Sequence, residues 1–94
     1  MRMVVDVEID ELDAEELAAA RVRLRKVEGQ IRAVQRMMDE GRDCQDVLRL
    51  IGAATKALRR AGLRLAITGL EQCVADDAHA HDTTTFEQAV LELS

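Results

Sequence analysis

Apolar residues recur at alternating intervals of three and four along most of this chain, and that period decides what it can fold into. Leu17, Ala20, Leu24, Val27, Ile31, Val34 and Met38 form one run. Val47, Ile51, Ala54, Leu58, Ala61 and Leu65 form a second, widened by Leu48, Leu50, Ala57 and Ile67. Each run falls on one side of an α-helix, and the wider second stripe implies packing against more than one neighbour. The absence of proline, a single aromatic (Phe86) and a 48% hydrophobic content rich in Ala, Leu, Val and Ile favour helix over strand in the same way.

Boundary signals divide the runs. Asp13 with Glu16 reads as a capping box opening a helix over about 14–40, and Gly41 terminates it. Asp43, with Asp46 three residues on, opens a second helix over 44–75, which closes before Asp76 and Asp77. A polar linker follows, and Thr84 with Glu87 opens a short helix over 84–93 through Phe86, Val90 and Leu91. Residues 1–12 read as an acidic flexible tail, and 13–94 as one all-α domain. The short Gly41–Arg42 connection makes the long helices an antiparallel hairpin. Gly52, Gly62 and Gly69 weaken the second helix but let a partner approach closely.

A chain of 94 residues in a few long helices cannot enclose its own apolar stripes. The expectation is a homo-oligomer in which two hairpins form a four-helix bundle. No stretch reads as a signal peptide or membrane span, so a cytoplasmic protein with no membrane partner is expected. In a reducing compartment, two cysteines are more often reactive or metal-binding than a structural disulfide.

The formal net charge of −5 hides an uneven distribution. Residues 1–20 carry seven acids and one base, residues 71–94 six acids and no base, and residues 21–70 twelve bases against five acids. A basic middle between acidic ends suggests a polyanion partner, although a solvated helix face has the same composition. Arg21, Arg23, Arg25 and Lys26 cluster early in the first helix, followed by Gln30 and Arg32. Lys56, Arg59, Arg60 and Arg64 lie in the middle of the second.

Cys44 and Cys73 are 29 residues apart in the second helix. At helical rise they stand roughly 43 Å apart and within about 20° of one face, so they cannot meet within one chain. Two copies of that helix packed antiparallel would set Cys44 of one chain against Cys73 of the other, at both ends of a twofold dimer. Arg42 and the helix N-terminus favour thiolate at Cys44, while Asp43 and Asp46 oppose it. The plainer alternative is that both are small buried hydrophobes.

The blocks Arg21–Arg32 (RVRLRKVEGQIR), Met37–Val47 (MMDEGRDCQDV) and Gly69–Val74 (GLEQCV) resemble the copper-sensitive operon repressor family, the CsoR/RcnR bacterial transcription regulators. The resemblance covers residues 20–74 and, more loosely, the last helix. It implies a repressor, not an enzyme, built as a dimer of hairpins assembling into a flat tetramer on double-stranded operator DNA. It also implies that the helix-one cluster and part of the helix-two cluster contact DNA, that Gln30 supports this face, and that Leu24 and Val27 are core. Arginine suits such a role because its guanidinium bonds phosphate bidentately and can read guanine edges.

Copper sensors of this kind resemble a Cys–His–Cys pattern with the His four residues before the second Cys. Here Gly69 stands at that position and offers no ligand. Nickel and cobalt sensors add histidines that are absent here, and formaldehyde sensors usually lack the second Cys. The remaining pattern resembles the persulfide-sensing, CstR-type branch, with no cofactor. That resemblance implies redox sensing, in which sulfane-sulfur donors link Cys44 to Cys73 of another chain and release the operator. The alternative is a Cu(I)- or Zn(II)-responsive repressor using Cys44 and Cys73 with His79 or His81. An ordinary solvated linker explains those two histidines as well.

Overall fold

A computed structural model describes residues 8–75 and 83–94. Three helices carry the chain: α1 (Ala14–Asp39), α2 (Cys44–Ala75) and α3 (Thr84–Leu93). Among the described residues there is no strand. α1 and α2 lie against each other as a hairpin, and α3 returns onto α2. The result is a rod of 56 × 24 × 20 Å.

The ends of the helices follow from local chemistry. Asp13 caps α1, its carboxylate accepting from the Glu16 amide at 3.2 Å. The other half of the expected box is supplied from elsewhere. The Asp13 amide donates to Gln72 Oε1 at 2.8 Å, and Gln72 Nε2 donates to the Glu11 carbonyl at 3.0 Å. One carboxamide near the end of α2 therefore closes the entry of α1. The chain is seated from Ile9 onward, with a 3-10 turn at Ile9–Glu11 and Leu12 buried, where the sequence suggested a loose tail.

α1 stops at Gly41, whose φ of +66° needs a residue without Cβ. The Arg42 amide donates to the Met37 carbonyl at 2.9 Å and the Gly41 amide to Met38 at 3.2 Å. This pair of bonds is a Schellman closure, and it turns the chain directly into α2. Asp43 Oδ1 then accepts from the Gln45 amide at 3.3 Å. α3 spans the expected residues, but its capping residue differs from expectation by one. Its cap is Thr83, not Thr84, because Glu87 pairs back four residues, accepting from the Thr83 hydroxyl at 2.8 Å.

Each apolar run divides into two sets. Ala20, Val27 and Val34 of α1 are buried, as are Val47, Ala54, Ala61 and Thr68 of α2. Both series repeat every seven residues and form the seam of the hairpin. The larger members of the same stripes face outward. Leu24, Ile31 and Met38 on α1, with Leu48, Ile51 and Leu58 on α2, are exposed, Met38 to 64% and Leu48 to 59%. Between the helices, Ile31, Ile51 and Leu58 join Gln35 and Thr55 in lining an open apolar groove of about 290 Å³. Burying each such side chain is worth about 1.5–3 kcal/mol, a contribution the single hairpin forgoes.

Thr68 is the polar member of the seam, 5% exposed, and its hydroxyl oxygen has no hydrogen-bond partner. A buried, unsatisfied hydroxyl carries a desolvation cost that an isosteric methyl does not. Thr68→Val should therefore leave stability unchanged or raise it by up to about 1 kcal/mol. Chemical denaturation of the two proteins at equal concentration measures this. A loss of more than about 1 kcal/mol would mean the hydroxyl is satisfied.

α3 docks through two knobs and two notches. Phe86 lies on Gly69, and Leu93 on Gly62. A Cβ at Gly62 would stand 2.9 Å from Leu93 Cδ1, and one at Gly69 would stand 2.6 Å from Phe86 Cζ and 2.7 Å from Cδ1. Glycine costs about 1 kcal/mol in a helix interior relative to alanine, and here that cost permits the close approach.

Candidate functional site

The two cysteines occupy opposite ends of α2. Cys44 is its first residue and exposed, whereas Cys73 is half-buried in its last turn. The helix runs without a break between them, so they remain roughly 43 Å apart along one face. Arg42, two residues before Cys44, pairs with Glu40 at 3.7 Å. Among the described residues, no three His, Cys, Asp or Glu side chains gather in a form able to hold a metal. His79 and His81 lie outside the described residues. Within one chain, the two thiols do not come together.

Gly69 stands one turn before Cys73. Residues four apart on a helix have Cβ atoms about 5–6 Å from each other, so a side chain at 69 would sit beside the thiol. Phe86 fills that space instead. The residue before Cys73 is Gln72, which clasps Glu11 and Asp13 at the root of α1. No local pattern in the sequence marks Gln72, since its partners lie 59 and 61 residues away. The seating of Phe86 had a faint signal: Gly62 and Gly69 are seven apart, as are Phe86 and Leu93.

The cations predicted from the sequence divide between two faces. Arg21, Arg25 and Arg32 follow helical spacing along one side of α1, flanking the apolar groove, and Arg36 extends that line. Arg21 and Arg25 border a shallow depression with Leu24 and Glu28. Arg23 lies on the side of Glu16, seven residues earlier, and Lys26 lies about 140° around the helix from Ile31. Gln30 is half-buried, and its carboxamide oxygen has no hydrogen-bond partner.

On α2, Arg60 lies about 160° from Leu58 and Lys56 about 140° from Ile51, both away from the groove. Arg49 continues their line and pairs with Asp46 at 3.8 Å. Arg59 falls on the groove side. Neither Arg36 nor Arg49 was singled out by the sequence clusters, since each stands alone in the chain.

Arg64 makes a two-pronged pair with Glu16, Nε to Oε2 at 2.8 Å and Nη2 to Oε1 at 2.6 Å. The Arg64 hydrogen bond holds the Glu16 carboxyl below its ordinary pKa against the opposing effect of burial, with the charges of Arg64 and Arg23 adding to it. The pair ties α1 to α2 on the face carrying Arg23, Lys26, Lys56 and Arg60. Among the described residues, no helix is long and apolar enough to cross a membrane.

Comparison with known proteins points one way. The family model described as metal-sensitive transcriptional repressor matches residues 16–94. The copper-sensing transcriptional repressor RicR of Mycobacterium tuberculosis (strain ATCC 25618 / H37Rv) is 50% identical over 52 residues, 55% of this chain and 54% of that protein. The copper-sensing transcriptional repressor CsoR of Bacillus subtilis (strain 168) is 38% identical over 71 residues, 76% of this chain and 67% of that protein. The match thus spans about half the length of the first relative and two thirds of the second. No solved structure matches the chain.

Proposed function

We propose, because this chain belongs to the family of metal-sensitive transcriptional repressors, that it binds operator DNA as a homo-oligomer and is released by Cu(I). The observation that carries the proposal is the placement of two soft sulfur donors at the two ends of one face of α2. Antiparallel pairing of α2 with α2 of a second chain brings Cys44 against Cys73 twice, and twofold symmetry makes the sites equivalent. Both relatives are named as copper-sensing, and thiolates suit Cu(I). Zn(II) calls for a full tetrahedral set, which two thiols do not supply.

Cys44 of one chain and Cys73 of the other would hold Cu(I), whose soft affinity for thiolate would link the two chains. The chain's own residues would carry the effect onward. Gln72 adjoins Cys73 and holds Glu11 and Asp13, so a shift in the last turn of α2 pulls on the root of α1. α1 carries Arg23 and Lys26, and the Glu16–Arg64 pair ties that region to the arginines of α2. Since the groove face is taken by the second copy, the DNA face is the opposite one: Arg23, Lys26, Lys56, Arg60 and Arg64.

A second reading has one observation in its favour. Phe86 closes the position beside Cys73, so position 69 offers no third donor, and a dithiol needs none to react with sulfane sulfur. The test is a mobility shift on DNA from upstream of the chain's own gene, performed anaerobically with the reduced protein. Cu(I), delivered through a competing chelator, should release DNA at one ion per thiol pair. Release by polysulfide alone, with a dithiothreitol-reversible dimer on a gel, would replace copper with persulfide. His79→Ala and His81→Ala variants in the same assay decide whether the linker contributes.

DNA affinity should fall steeply with salt, with a log–log slope of about −0.9 per neutralised phosphate. Arg60→Ala and Arg23→Ala should each weaken binding and flatten that slope by about one unit for each phosphate left without its cation. Arg21→Ala, on the groove side, should change the slope little. The reverse ranking would place the DNA face on the other side of α1.

A further inference from the structure

We propose that Phe86 is the specificity-determining residue of the thiol site, restricting Cys73 and its partner thiol to a ligand satisfied by two sulfurs. This rests on the reading of Cys44 and Cys73 as one intersubunit site. Gly69 precedes Cys73 by one turn on the same face, so position 69 is where α2 itself would place a third donor beside the thiol. The Phe86 ring occupies that place, with Cζ and Cδ1 2.6 and 2.7 Å from where a Cβ would stand. The ring is fixed independently. Seven residues on, Leu93 seats on Gly62, which lies seven residues before Gly69, so the antiparallel register of α3 on α2 is set at two points.

Hydrocarbon at that position offers no lone pair. An ion entering the site therefore meets two thiolates and an apolar wall. Such a site accepts a soft ion content with two sulfurs and fails an ion that requires a tetrahedral set or imidazole. Phe86 touches no ligand through a polar atom. It acts by occupying space.

Two measurements on the full chain test this. The first uses no metal. Gly69→Ala should lower the denaturation midpoint, and Phe86→Ala in the same chain should remove most of that penalty. An equal penalty in both backgrounds would mean that the ring is not seated on Gly69, and the proposal fails. The second is X-ray absorption on the anaerobic Cu(I)-loaded protein.

Wild type should show two sulfur scatterers and no nitrogen. Gly69→His should keep that spectrum, while Gly69→His with Phe86→Ala should gain a nitrogen scatterer and bind Zn(II) more tightly than wild type. A nitrogen scatterer in wild type, or in Gly69→His with Phe86 intact, overturns the proposal. Wild type that binds no Cu(I) removes the copper reading, and with it the role given to Phe86. The metal-free cycle would still report the ring's position and so separates the two failures.

Discussion

A carboxylate introduced at Leu58 or Ile31 should dissociate the protein into monomers and abolish DNA binding. Both side chains border the apolar groove between α1 and α2, Leu58 at 49% exposure and Ile31 at 46%. The seam beneath them is closed by Val27, Val34 and Ala54, and the hairpin leaves about half of each of these two side chains uncovered. In the proposed homo-oligomer a second copy covers them. Leu58→Glu or Ile31→Asp would bury an unpaired charge there, at an effective cost of several kcal/mol per ion. Twofold symmetry imposes that cost twice in each interface.

Sedimentation velocity at micromolar concentration should show wild type without monomer and the variants largely monomeric. Fluorescence anisotropy with operator DNA should show binding abolished in parallel. A wild-type chain that is folded and monomeric would refute both the assembly and the intersubunit thiol site.

The second large effect concerns the thiols. Cys44→Ala and Cys73→Ala should each abolish release of DNA by Cu(I) while leaving DNA affinity within a few-fold of wild type. The proposed site draws one sulfur from each chain, so either substitution would halve every copy of it. Losing a donor should cost more than the roughly 10–100-fold that removal of a mere supporting residue costs a metal site. DNA binding survives because neither position lies on the face of Arg23, Lys26 and Arg60. A mixture of the two single variants supplies a stringent check. A heterodimer has one restored pair and one empty pair, so mixing should recover part of the response. Failure of the mixture to respond would indicate that the two sulfurs do not belong to one intersubunit site.

The helical layout was legible in the sequence because it depends on local signals. The period of the apolar runs, Asp13, Gly41 and Asp43 set α1 and α2 to within a residue of their observed limits. The division of each stripe was not legible. Period alone marks Val27 and Ile31 as equivalent members of one face, and only packing against α2 separates the seam residue from the exposed one. The basic clusters were read as sequence neighbourhoods. A helix turns about 100° per residue, so cations as close in sequence as Arg23 and Arg25 end on different sides. Gly69 was recognisable as a missing donor, but the reason it is glycine, the ring of Phe86 from another helix, required the third dimension.

The narrowness of the seam bears on how much of this protein a cell must keep. The seam of the hairpin, Ala20, Val27, Val34, Ala54 and Ala61, is built from small side chains, while Leu24, Ile31, Leu48, Ile51 and Leu58 stay exposed and would be covered in the proposed oligomer. Folding and association then draw on the same apolar surface, and the fraction folded depends on the number of chains present. In the proposed oligomer, dilution by growth would raise the unfolded fraction as well as lower the occupancy of the operator. Unfolded chains are removed by proteases, which steepens the fall. Such a repressor would be cleared abruptly below a threshold abundance, giving the regulated genes a sharp floor instead of a gradual loss of control.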